Sequence, residues 1–157
     1  MTDMLVKLYE LPELHPALAA QQAAGINIRR ALAPERHLIV DWVRENFSLL
    51  WSSECEVAIS NHPISCFIAV ENAQLIGFAC VDATYKGFFG PIGVVQAARS
   101  KDVGKALLLA ALHDMRARGY GYAIIGSVGP TEFYEKAVGA TIIPDSTPGI
   151  YRGLLRG

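Results

Sequence analysis

Apolar residues recur along the chain with two periods, one near two residues and one near 3.6, and the switches between them lay out alternating strands and helices. Residues 4–11 alternate weakly, as a short strand does. Residues 16–24 are rich in Ala and Gln, favour helix and stop at Gly25. Residues 26–32 read as a strand. Residues 34–50 carry Leu38, Ile39, Trp42, Val43 and Phe47 at helical spacing, which predicts one amphipathic helix. Residues 65–70 and 74–81 are β-prone runs joined by Glu71-Asn72-Ala73, a connection short enough for an antiparallel hairpin. Residues 88–96 form a further strand interrupted by Gly90, Pro91 and Gly93, where a bulge or a close approach of ligand to backbone is expected.

The rest of the pattern is a long helix over 103–118, with Leu107, Leu108, Ala111, Leu112 and Met115 on one side and a stop at Gly119. A short strand (122–126), a short helix (131–137) and another strand (140–143) follow, and the tail from 148 to 155 is expected to add a last strand. Strands and helices that alternate in this way predict a mixed α/β (α+β) fold.

Composition narrows the class. With 157 residues, a net charge of −1 and 52% hydrophobic residues, the chain suits one domain with a sizeable core. Residues 1–25 read as an N-terminal extension, 26–143 as the core and 144–157 as a C-terminal strand or flap. No basic stripe is present of the kind that duplex binding needs, so nucleic acid is not an expected partner. Cys55, Cys66 and Cys80 are an odd number without C-x-x-C spacing, which argues against a disulfide framework and against structural zinc. The first residues, MTDMLVKLYELPELHP, hold acidic residues and prolines where a secretion signal needs a basic start and an apolar run. No run is long enough to span a bilayer. A soluble cytoplasmic protein is expected, and the Asn46-to-Ser48 sequon is read as coincidence.

The stretch from Gly90 to Gly119 holds the chemistry. An apolar strand there enters a short basic turn and then a long helix, and a helix N-terminus with free N–H groups is a ready anion site. Gly104-Lys105 is shared with nucleotide-binding P-loops, but Arg99 stands where the first Gly of that motif belongs. Ala106 stands where a magnesium-binding Ser or Thr belongs, so ATP is not implied.

Val94-Val95-Gln96 leading into Arg99-Ser100-Lys101-Asp102-Val103-Gly104, followed by Tyr122-Ala123-Ile124-Ile125, Ser127, Phe133-Tyr134-Glu135-Lys136 and Gly139-Ala140, resembles the GNAT superfamily of acyl-CoA-dependent N-acyltransferases over residues 26–143. The resemblance implies a mostly antiparallel central sheet flanked by helices, acetyl-CoA as acyl donor, a small primary amine as acceptor, and no metal. By the family pattern, Arg99, Ser100, Lys101, Asp102, Val103, Gly104 and Lys105 surround the pyrophosphate. Val94 and Val95 pair through their backbone with the pantetheine arm beside a strand splayed at Gly93, and Ser127 lies on the same cofactor. Ser100 and Asp102 replace two of the family's three glycines. Asp can adopt the left-handed backbone that Gly supplies, so the expectation is a working turn with weakened affinity.

Tyr134 matches the family's general acid, which protonates the departing thiolate. Outside this context a Phe-Tyr pair reads as packing, and Phe133 is assigned to packing here. For the base, Asp82, Glu54 and Glu56 are candidates, though each also reads as a solvated carboxylate. His62 and His113 lack a partner at metal-ligand spacing. Trp51 and Phe88 are candidates for the acceptor pocket, and Phe88 and Phe89, being consecutive in a strand, point to opposite faces. A non-catalytic acyl-CoA-binding module is the alternative that the eroded glycine turn suggests. Residues 1–25 would serve assembly if their strand were added at a sheet edge, giving a homodimer.

Overall fold

A computed structural model describes residues 1–156. Seven strands form one sheet: β1 (Asp3–Lys7), β2 (Ile26–Arg30), β3 (Cys66–Glu71), β4 (Gln74–Val81), β5 (Phe88–Val94), β6 (Tyr122–Ile125) and β7 (Thr141–Ile143). Their spatial order is β2-β3-β4-β5-β6-β1-β7. Every pairing is antiparallel except that of β5 with β6. The helices are α1 (Leu14–Ala23), α2 (Arg36–Asn46), α3 (Leu49–Ser60), α4 (Val103–Ala117) and α5 (Thr131–Val138).

Helix α4 is the central support of one face. Nine of its fifteen residues are buried, including Leu109 and Ala110, which the periodicity left off its apolar side. The reason is α1, whose small Ala residues pack across the outer surface of α4 and close it from water. Leu107, Leu108, Leu112 and Met115 meet Met4, Val6, Phe89 and Ile125 from the sheet. On the other face, Ile39 and Val43 of α2 and Cys55 and Ile59 of α3 cover Ile68 and Phe78. Burying a side chain of this kind contributes about 1.5–3 kcal/mol, so both layers are strongly held.

Three sequence expectations are corrected. The helix expected over 34–50 is two helices, because Phe47 adopts φ −132 and ψ −87 and the backbone extends at Ser48. The Ser48 hydroxyl then accepts from the Trp51 N–H and starts α3 afresh. Periodicity missed α3 because its apolar residues are scattered around the helix, with Leu49, Leu50 and Val57 exposed. The tail holds no strand among the described residues, only the 3₁₀ turn Gly149–Tyr151. The N-terminal strand is no edge: β1 lies between β6 and β7, hydrogen-bonded on both sides, and so cannot add to a partner's sheet.

The three cysteines, distant in sequence, converge. Their sulfurs all lie within 4.8 Å of one another in the buried layer between α3 and the sheet, with 3.9 Å between those of Cys55 and Cys66. No helix among the described residues is long and apolar enough to cross a membrane.

Candidate active site

The site begins where β5 and β6 part. Their parallel pairing covers only Phe88 with Ile124 and Phe89 with Ile125, after which β5 runs on to Val94 without β6 beside it. The cause is a bulge at Gly90-Pro91: β5 takes three residues from Phe89 to Ile92 where β4 takes two, Ala79 to Val81. Gly90 has φ +129, a region suited to glycine. The bulge is therefore not at Gly93, where the sequence reading placed it. Gly93 is in regular register with Phe78, and its lack of a side chain lets the Phe47 ring lie against it, within 2.6–2.9 Å of where a Cβ would be.

The ladder decides which backbone groups face the opening. Val95 donates its N–H to Ile76 of β4, and antiparallel pairs alternate between bonded and unbonded. Ile92 and Val94, in the alternate register, turn their N–H and C=O groups away from β4 into the gap. Of the two valines singled out in the sequence, Val94 faces the cleft and Val95 does not. Ile92, which sequence reasoning missed, faces it as well. The bulge counts toward this register, and nothing in the primary pattern fixed its position. The Val94 carbonyl is already engaged by Arg99 Nε at 3.1 Å.

Below the gap, the 3₁₀ turn Gln96–Lys101 leads into α4 through Asp102, which holds φ 58 and ψ 22. The left-handed conformation expected of Asp102 is thus present. Its side chain caps no helix N–H. The Asp102 carbonyl accepts from Ala106, the first bond of the helix, so the N–H groups of Val103, Gly104 and Lys105 precede the hydrogen-bonded ladder. Arg99, Ser100, Lys101, Asp102 and Lys105 are all exposed around this terminus. Helix α1 braces the turn, since buried Gln21 donates its side-chain N–H to the Lys101 carbonyl at 2.7 Å. Gly104 has Val94 and Phe133 at ordinary contact distances, 3.7 and 3.9 Å from a notional Cβ. The end of β5, the start of α4 and α5 therefore meet at one point.

Tyr134 follows Phe133 on α5. It is 6% exposed, and its ring stands edge-on to Phe133 and Phe89 at centroid distances of 5.0 and 6.5 Å. Burial alone pushes its phenol up to about 12, so it is neutral and proton-bearing at physiological pH. Ser127 adopts φ 50 and spends its N–H on the Asp3 carboxylate at 2.8 Å, which ties β1 to the mouth of the cleft.

The remaining candidates separate clearly. Asp82 is not a free base. Its carboxylate accepts from the Gly87 N–H, the Tyr120 hydroxyl and Arg118, at 2.7–3.1 Å. Burial raises its pKa, but these donors outweigh burial and hold it below the usual value. It locks the loop between β4 and β5 to the end of α4. Trp51 is part of an aromatic group with Phe47 and Phe78, with ring centroids 5.2 and 6.0 Å away, on the α3 face under Gly93. Phe89 packs toward Tyr134, and Phe88, on the opposite face, packs toward Tyr85 and Gly126. Glu54 is half-buried and accepts from the Thr84 hydroxyl; burial raises its pKa and that bond only partly offsets it. His113 donates to the Pro12 carbonyl at 2.7 Å and serves the packing of α1 on α4.

A widening gap between parallel strands, ending on a helix N-terminus, suits an extended ligand with an anionic end. Solved structures share this architecture. The glucosamine N-acetyltransferase region, related to GCN5, of a fungal multi-domain GH3 β-N-acetylglucosaminidase superposes with a TM-score of 0.74 at 15% identity, over 90% of this chain and 19% of that one. A GCN5-related N-acetyltransferase from Sphaerobacter thermophilus gives 0.68 at 20% identity, over 90% of this chain and 48% of that one. A GNAT family acetyltransferase from Brucella melitensis, solved with acetyl-CoA, gives 0.53 at 16% identity, over 75% and 86%. This chain thus spans less than half the length of the first two. No curated protein matches it by sequence. The family model described as Acetyltransferase (GNAT) family matches residues 29–140, most of the chain. The protein belongs to the GNAT acetyltransferase family.

Proposed function

We propose that the protein is an N-acetyltransferase that moves the acetyl group of acetyl-CoA to a primary amine of a small molecule, by direct attack within a ternary complex. The observation that carries this reading is the neutral, buried Tyr134 on α5, packed against Phe89 at the last β5–β6 pair, while its neighbour Phe133 lies at Gly104 in the first turn of α4. The pyrophosphate would lie on the N–H groups of Val103, Gly104 and Lys105, with Arg99, Lys101 and Lys105 supplying positive charge and Ser100 lining the turn. The pantetheine arm would extend β5 as a further strand does, using the outward N–H and C=O of Ile92 and the N–H of Val94. Its thioester then reaches the Gly90 bulge. As the amine nitrogen bonds to the acyl carbon and the carbon–sulfur bond breaks, the Tyr134 phenol gives its proton to the thiolate.

The test is thiol release from acetyl-CoA across a panel of primary amines, set beside acetyl-CoA binding measured alone. Amine-dependent release supports the reading. Tight binding with no turnover on any amine would replace it with a non-catalytic acyl-CoA-binding module.

A further inference from the structure

On the face of the sheet opposite Tyr134, three polar side chains from distant parts of the chain meet at the root of the cleft. Glu54 comes from α3, Thr84 from the loop after β4 and Tyr151 from the C-terminal 3₁₀ turn. The Thr84 hydroxyl donates to Glu54 Oε1. Tyr151 lies close to them, and burial, together with the nearby charges of Glu54 and Asp3, raises its pKa. Its hydroxyl is 2.7 Å from where a Cβ on Gly126 would stand, with the Phe88 ring at 3.0 Å. Gly126 is the first residue past the last β5–β6 pair, so this group lies where the strands begin to part.

Charge separates Glu54 from its neighbours. Asp82 is saturated by its donors, and Asp3 Oδ1 accepts from the Ser127 N–H. Glu54 takes part in no ion pair among the described residues, and only burial and the Thr84 hydroxyl act on it. A carboxylate that is partly desolvated and lacks a cation attracts one, and an acceptor amine arrives as an ammonium ion.

We propose that Glu54, positioned by Thr84 and faced by Tyr151, binds the acceptor's ammonium group and takes a proton from it; this rests on the acyltransferase reading above. Of the three ammonium protons, one passes to Glu54 and on to solvent. The freed nitrogen bonds to the acyl carbon, the sulfur leaves with the Tyr134 proton, and a second nitrogen proton restores the phenol. The third stays on the amide. Because Glu54 and Asp3 both flank Tyr151, and Phe88 and Tyr85 add aromatic surface, the site favours amines without a neighbouring carboxylate: amino sugars, diamines and arylalkylamines over amino acids.

Steady-state kinetics of the full chain with acetyl-CoA and glucosamine, putrescine, phenethylamine or glycine test this. Glu54→Gln is expected to lower kcat/KM for the best amine by about a hundredfold or more at pH 7, with acetyl-CoA affinity and melting temperature unchanged. Its rate should then rise about tenfold per pH unit toward the amine's own pKa, as free amine replaces the lost base, whereas the wild type is flat there. Glu54→Asp should recover part of the rate at neutral pH. A Glu54→Gln enzyme with the wild-type profile, or one reduced equally at every pH, overturns the base and leaves acyl transfer standing. A wild type that binds acetyl-CoA but acetylates none of the amines overturns both readings. If Glu54→Gln melts early, the pH profiles of Glu54→Asp and Thr84→Val decide the matter in the same way, and glycine as the best acceptor overturns the charge preference.

Discussion

Single residues carry the two sharpest expectations about the cofactor half of the site. Tyr134→Phe keeps the edge-on ring contacts with Phe89 and Phe133 and deletes only the proton donor. The expected result is a fall in kcat of about a hundredfold or more with acetyl-CoA binding unchanged, measured by thiol release and by titration calorimetry. Full turnover would remove the proposed acid. Asp102 holds a left-handed backbone that glycine adopts without strain, and it puts an exposed carboxylate beside the proposed pyrophosphate position. Asp102→Gly should tighten acetyl-CoA binding about fivefold at low salt, the equivalent of about 1 kcal/mol, and less at high salt. Both residues were legible in the sequence, because each occupies a fixed place in a local motif. Ile92 and the bulge at Gly90-Pro91 were not, because a strand's outward face depends on its partner's register.

Between elements, the clearest device is the tie from the β4–β5 loop to α4. Asp82 makes it, through Arg118 and Tyr120. Its pKa is lowered in the folded protein, so its contribution is complete above the unfolded value near 4 and is lost as pH falls through the folded value. Melting curves should show Asp82→Asn to be less stable than the wild type at pH 7, with the difference shrinking toward pH 3. A constant difference across that range would assign the loss to packing instead. At this scale the sequence was readable only in part. The hairpin of β3 and β4 and the long helix followed from turn residues and period. Helix α3 did not, because its buried face is built largely of small residues, Ser52, Cys55 and Ala58, while the large apolar Leu49, Leu50 and Val57 are exposed.

Across the whole molecule, the N-terminal segment changes meaning. Residues 1–25 look like an appendage in sequence, yet β1 bonds to β6 along Met4–Ile125 to Lys7–Tyr122 and to β7 along Asp3–Ile143 to Leu5–Thr141. No local pattern announces pairing with strands so far along the chain. Deleting residues 1–11 should leave β6 and β7 unpaired on facing sides. The expected outcome is loss of a cooperative melt and aggregation in size-exclusion chromatography; a well-folded truncated protein would contradict it. The same topology bears on synthesis. During synthesis β1 is made well before β6 and β7, the two strands that complete it. The sheet cannot grow in chain order from β1, and Met4 and Val6, fully buried at the end, stay open to solvent or a chaperone until β6 and β7 have been made.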